Sequence, residues 1–211
     1  MYQRTRSKAT KKIEPTKPVC TIHEFTGTTL PQAYRDQILD STHWDAMCRS
    51  SVPWEDGSYP TNAIDSAQIL LVATVDAHEW RHLYPGHGGL DRSVPDIVVG
   101  FLCGLTHTFL TSLDGRVKPV AEPHEWYLDV VCTLPGGCGR KLIEQFMGAA
   151  MRNGKRQIRL YAVEAAYNIW KRYGFTECED NRPGAGTTPG NCFRRTYKAD
   201  PGQGVRMTRW L

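Results

Sequence analysis

Apolar positions along the chain fall into a few distinct patterns. Residues 68–75 and 97–105 are unbroken, β-branched apolar runs, which read as strands buried on both faces. Residues 19–25 alternate and predict a first strand. Thr28 and Thr29 followed by Pro31 mark the start of a helix through Tyr34, Ile38 and Leu39. Residues 41–62 mix Pro53, Gly57 and Pro60 with Trp44, Trp54 and Tyr59, the composition of a structured loop that lines a pocket. A Pro-, Gly- and His-rich connection over residues 76–95 separates the two buried strands.

The second half changes period. Residues 126–132 predict a strand between Pro123 and Pro135. From 139 to 153, Leu142, Ile143, Phe146, Met147 and Ala150 recur on one stripe of a helix that Gly154 stops. Residues 158–163 return to strand. Residues 165–173 repeat helical spacing through Ala166, Ile169, Trp170 and Tyr173, end at Gly174, and lead into a short strand over 175–178. Residues 181–204 are rich in Gly, Pro, Asn and Thr and predict an excursion with some strand over 192–198, before a closing strand over 205–211.

Composition narrows the class. With 211 residues and 40% hydrophobic content, the chain suffices for one sizeable core, so a single domain over residues 18–211 is expected. Residues 1–17 hold six lysines and arginines against Glu14 alone, which exceeds the whole chain's formal +4 and leaves the rest slightly acidic. This basic, apolar-poor stretch reads as a disordered leader, able to hold nucleic acid or an acidic partner only weakly. No apolar run is long enough to span a membrane and no secretory signal opens the chain, so a cytoplasmic, reducing location is expected. Seven cysteines with no CxxC spacing point to reduced thiols rather than a disulfide framework.

The chemistry concentrates in residues 133–143, TLPGGCGRKLI. An apolar strand ends in Gly136, Gly137 and Gly139 and opens at once into an amphipathic helix. Glycines let backbone approach an anion, and the first N–H groups of a helix favour phosphate. Arg140 and Lys141 oppose the usual preference for acids at a helix start, which fits an anion nearby. The turn lacks the Gly-Lys-Ser/Thr ending of a P-loop and contains no GxGxxG.

These residues resemble the GNAT superfamily, whose cofactor signature is Arg/Gln-x-x-Gly-x-Gly/Ala at a helix start. Gly137-Cys138-Gly139 match it, with Leu134 standing at the Arg/Gln position. Ile97-Val98-Val99-Gly100-Phe101 is similar to the family's third strand. Ala166 through Trp170 to Gly174-Phe175 is similar to its closing Ala…Tyr-x-x-x-Gly-Phe motif, with Trp170 in place of Tyr, and Arg206-Met207-Thr208 suits its last strand. The resemblance implies an α/β fold, a mixed and mostly antiparallel sheet with a splayed central strand and helices on both faces. It implies an acetyl-CoA-dependent N-acetyltransferase acting by direct transfer to a primary amine, of a small molecule in preference to a protein amino group, as monomer or homodimer and without a metal. Val130, Val131 and Cys132 would then contact pantetheine through their backbone. Gly136, Gly137, Cys138, Gly139, Arg140 and Lys141 would hold the diphosphate.

Acetyl transfer needs a base for the amine and a proton for the leaving thiolate. Glu125, Tyr127 and Asp129 project from one strand face at period two; Glu125 is the preferred base, with deprotonation through water the alternative. Tyr167 and Tyr173 are candidate acids in place of the missing tyrosine, again with water as the alternative. Trp44, Trp54, Glu55, Asp56, Tyr59 and Tyr127 would line a site for a cationic amine. Two competing readings exist. His78-Glu79-Trp80-Arg81-His82 is a literal HExxH, the motif of a zinc metallopeptidase, with His87 as a third ligand; Pro85-Gly86 would cut such a helix short, which favours a polar β-connection instead. The Leu134 and Trp170 departures fit a module that binds CoA without turnover.

Overall fold

A computed structural model describes residues 19–44, 48, 58–83, 95–106, 108–111, 117–120, 124–134, 138–177 and 205–211. The expected leader, turn residues 135–137 and the 181–204 excursion lie outside them.

The apolar runs form the centre of one sheet. In chain order the strands are β1 (Thr21–Phe25), β2 (Ile69–Asp76), β3 (Asp96–Leu105), β4 (Thr108–Thr111), β5 (Val117–Val120), β6 (Glu125–Thr133), β7 (Gln157–Ala162), β8 (Thr176–Glu177) and β9 (Val205–Trp210). Seven of them make a sheet of order β1-β2-β3-β6-β7-β9-β8, and β4 with β5 makes a separate antiparallel ribbon. Every pairing in the large sheet is antiparallel except β6 with β7. β2 and β3 are buried almost throughout, as strands flanked by a partner on each edge and covered on each face must be.

Helices cover both faces. Helix Gln32–Leu39 is tied to the start of β3: Gln37 Oε1 accepts from Val98 N–H at 2.9 Å, Gln37 Nε2 donates to Asp96 O at 3.2 Å, and Tyr34 donates to Asp96 Oδ2 at 3.4 Å. Burial and the neighbouring Asp96 carboxylate raise the Tyr34 phenol above its ordinary pKa. Helix Gly139–Arg152 lies on the other face, packed against β2, β3 and β6, with buried Leu142, Ile143, Phe146, Ala149 and Ala150. The expected stripe is therefore the core face. Phe146 meets Trp126 with ring centroids 5.5 Å apart. Side chains of this size each contribute on the order of 1.5–3 kcal/mol by burial. Gly154 and Gly174 take positive φ of 68° and 78° where the two later helices stop.

Three expectations are corrected. The pocket-lining loop of residues 41–62 holds a 3-10 turn at Ser41–His43 and the start of helix Ser58–Ser66. The expected polar β-connection begins with helix Ala77–Leu83; Asp76 Oδ1 accepts from the N–H groups of His78 and Glu79 at 2.9 and 3.0 Å, an N-terminal cap that outweighs the short run before Pro85. Cys20 and Cys138, expected as thiols, are joined in a disulfide across 118 residues with Cα atoms 6.2 Å apart. Linear spacing carries no trace of so distant a pair.

Gly104 of β3 sits under the Phe146 ring, where an added Cβ would lie 2.3 Å from the nearest ring carbon. At Gly148, on the same helix as Phe146, a Cβ meets nothing closer than 3.4 Å. One substitution at two places should thus have opposite signs in urea unfolding. Gly104→Ala is expected to cost about 1–3 kcal/mol by overpacking. Gly148→Ala is expected to add up to about 1 kcal/mol by favouring helix.

Candidate functional site

β6 carries two irregularities at one point. Its pairing with β7 runs only from Glu125↔Gln157 to Leu128↔Leu160, although β6 continues to Thr133 and β7 to Ala162. The two strands part after Leu128. At the same point the register with β3 steps from Gly104↔Leu128 to Cys103↔Val130, so Asp129 is an extra residue, a β-bulge.

The bulge resets which side chains face which way. Trp126, before it, touches Phe146 on the face covered by helix Gly139–Arg152. Thr133, seven residues on, would by strict alternation face the opposite side. Yet a Cβ built on Gly139 would lie 3.2 Å from Thr133 Cγ2, so Thr133 reaches the same helix. A side chain at position 139 would press on Thr133 and require it to shift by a few tenths of an ångström. A second bulge, at Val99 in β3, aims the Val99 carbonyl at the N–H of Leu134, 2.8 Å away, and fixes where the chain leaves β6.

The helix after the turn starts at Cys138 with no side-chain cap, and Leu142 N–H donates to Cys138 O at 2.9 Å. Of the expected diphosphate ligands, Cys138 is 2% exposed and disulfide-bonded, while Gly139, Arg140 and Lys141 form the first turn. Arg140 turns back along the helix to Glu144, 2.7 Å away, and this contact raises its pKa. Gly136 and Gly137 lie outside the described residues. Leu134 is 2% exposed, so the position where the resembled family has Arg or Gln is core.

On β6 before the fork, Glu125 is not a solitary carboxylate. Its Oε1 accepts from Arg159 Nη2 at 2.6 Å, both side chains being largely buried at 16% and 13% exposure. Tyr127 stands opposite Arg159, and Gln157 donates to Thr208 beside them. Arg159 is a residue that sequence reasoning missed; its signal is a cation between Ile158 and Leu160 in a buried strand. Asp129 at the bulge lies near Cys103. Burial first, and that carboxylate second, push the Cys103 thiol well up. Val130, Val131 and Cys132 follow the fork, opposite Cys103, Leu102 and Phe101 of β3.

The two candidate acids differ in setting. Tyr167 is engaged with Glu177, and Lys171 Nζ lies 5.1 Å from its ring centroid. Tyr173 is half-buried beside helix Gly139–Arg152. Burial and then Glu144 raise its pKa, with Arg140 opposing, so its phenol keeps its proton. Trp170, in the family's tyrosine position, packs edge-on against Phe175 in the core. Trp44, expected in a substrate pocket, packs on Phe101 and donates its indole N–H to Ile38 O at 2.9 Å. Trp54, Glu55 and Asp56 lie outside the described residues, as does the side chain of Tyr59.

The HExxH segment forms a short helix with Trp80 in the core. His87 and the side chain of His82 lie outside the described residues, among which no group of three ligating side chains is gathered. No described helix is long and apolar enough to cross a membrane.

No protein-family model matches the sequence. No curated protein matches it either. Solved structures do. An acetyltransferase from Streptococcus agalactiae is similar with a TM-score of 0.52 at 15% identity, over 91% of this chain and 98% of that one. An aminoglycoside 6'-N-acetyltransferase complexed with coenzyme A is similar with a TM-score of 0.51 at 13% identity, over 90% and 96%. A protein assigned to the acetyltransferases of the GNAT family, from Desulfovibrio desulfuricans, is similar with a TM-score of 0.50 at 11% identity, over 91% and 99%. The chain has the GNAT fold.

Within that fold the Glu125–Arg159 pair bridges β6 and β7 just below the fork. Removing the carboxylate strands a largely buried guanidinium. Glu125→Ala is expected to cost about 1–3 kcal/mol, and adding Arg159→Met to recover part of that loss. Urea unfolding of the two single variants and the double variant measures the coupling; a neutral Glu125→Ala would mean that the pair does not hold the strands.

Proposed function

We propose that the protein is an acetyl-CoA-dependent N-acetyltransferase that acts on a primary amine by direct transfer. The observation that carries this reading is the fork: the β6–β7 ladder ends at Leu128 and Leu160, and an uncapped helix N-terminus stands where β6 leaves it. A fork of that kind accepts an extended amide-bearing arm along the β7 side of β6, through the backbone of Val130, Val131 and Cys132. The helix N-terminus accepts an anion at the arm's end. The donor set fits coenzyme A, whose acetyl derivative supplies a thioester-activated acetyl group. That an aminoglycoside N-acetyltransferase of similar fold is known with coenzyme A supports the same reading.

In this assignment Gly136, Gly137, Cys138, Gly139, Arg140 and Lys141 surround the diphosphate, the backbone amides carrying the binding and Arg140 exchanging Glu144 for phosphate. The two faces of the sheet divide the remaining work. Glu125, Tyr127 and Asp129 lie on the face away from the cofactor helix and receive the amine. Their carboxylates attract the ammonium form, and Glu125 or a water held there removes its proton before attack. Tyr173 stands on the helix side and, as a protonated phenol, donates to the departing thiolate. Trp44 supports the acceptor side as packing.

Thiol release from acetyl-CoA across a panel of small amines tests the reaction, and calorimetric titration tests the binding. Gly139→Asp places a carboxylate in the anion site and is expected to weaken acetyl-CoA binding at least about tenfold, with circular dichroism checking the fold. Lys141→Glu, an exposed change, is expected to weaken it in the same direction. Tyr173→Phe is expected to lower kcat with the acetyl-CoA KM unchanged. Unaltered affinity in both charge variants would remove the assignment, and binding with no thiol release from any amine would reduce it to a CoA-binding module.

A further inference from the structure

The disulfide joins two places that the proposed chemistry would need to keep in register. Cys20 immediately precedes β1, the edge strand of the large sheet. Cys138 is the cap residue of the helix whose first amides face the proposed diphosphate. That helix packs on β2, β3 and β6, and the disulfide places its cap residue beside the start of β1. Cys48, Cys103 and Cys132 are buried thiols elsewhere in the core.

Cys138 is buried, at 2% exposure. No side chain caps this helix start, which is held by the burial of Leu142 and Ile143 and by the Leu142 to Cys138 hydrogen bond. The cross-link ties the start of this helix to the residue before β1, with the two Cα atoms 6.2 Å apart.

We propose that Cys20 and Cys138 are a reversible disulfide site through which thiol redox state sets the affinity for the CoA diphosphate, the oxidised form binding more tightly. This rests on the cofactor reading given above. The oxidant is a low-molecular-weight disulfide of the glutathione class. The thiolate of Cys20, the more exposed of the two, attacks one sulfur of that disulfide and expels one thiolate, forming a mixed disulfide. The Cys138 thiolate then attacks the Cys20 sulfur and expels the second. The cysteine pair loses two electrons and two protons, and the oxidant becomes two thiols. Excess thiol reverses both steps.

The test uses the full chain, equilibrated either with glutathione disulfide or with a thiol reductant. The probe is desulfo-coenzyme A, which retains the diphosphate but has no thiol to enter the exchange. Alkylation and peptide mapping after oxidation are expected to find Cys20 linked to Cys138. Affinity is expected to fall about three- to tenfold on reduction, as the competent fraction of turns declines. Cys20→Ser is expected to bind like the reduced protein in both conditions, with circular dichroism confirming its fold. Equal affinity of the oxidised and reduced protein, or a Cys20 that stays alkylatable after oxidation, overturns the inference and leaves the cofactor reading standing. Failure to bind in either state overturns both.

Discussion

The extra residue in β6 is the constraint on which the rest of the molecule depends. A bulge bends the strand that carries it and increases local twist. Here it falls at Asp129, the first residue of β6 beyond the end of the β7 ladder. Without it the two parallel strands would have no cause to part, and the sheet would close over the place where an extended ligand can lie. With it, one strand has two settings: up to Leu128 it pairs with both β3 and β7, and beyond Asp129 it pairs with β3 alone.

That division explains the distribution of polar groups. Below the fork, β6 and β7 are held by side chains as well as backbone: Glu125 with Arg159, and Gln157 with Thr208 across to β9. A largely buried ion pair of this kind is expensive to break by removing one partner, so it pins the lower half while the upper half diverges. Above the fork the anchoring is different. The carbonyl of the bulged Val99 takes the N–H of Leu134, and Thr133 lies against Gly139. Two bulges in neighbouring strands thus fix the exit of the chain into the turn, and the start of the cofactor helix follows from that exit.

Much of this was legible from period and punctuation. The apolar runs over 68–75 and 97–105 became β2 and β3, and the stripe of Leu142, Ile143 and Phe146 became the core face of its helix. Gly154 and Gly174 ended helices as glycine does when it can take positive φ. What escaped were features fixed by contacts distant in sequence. The bulge at Asp129 leaves the alternation of buried and half-buried residues along β6 unchanged, and only pairing with β3 exposes it. The partner of Glu125 is 34 residues away and that of Cys20 is 118. Helix Ala77–Leu83 escaped for a local reason: Asp76 ends a strand and caps a helix at once, and the strand's apolar run masks the cap.

The two departures from the resembled motif take on meaning in this frame. Leu134 stands where the resembled motif has Arg or Gln, but its side chain is core and its N–H is committed to Val99. A charged side chain there would have to leave the interior. Trp170 tells the same story on the other helix. Its indole fills the core against Phe175, and the nearby phenol is Tyr173, beside Arg140 and Glu144 of helix Gly139–Arg152. In both places a polar side chain of the resembled motif has given way to core packing.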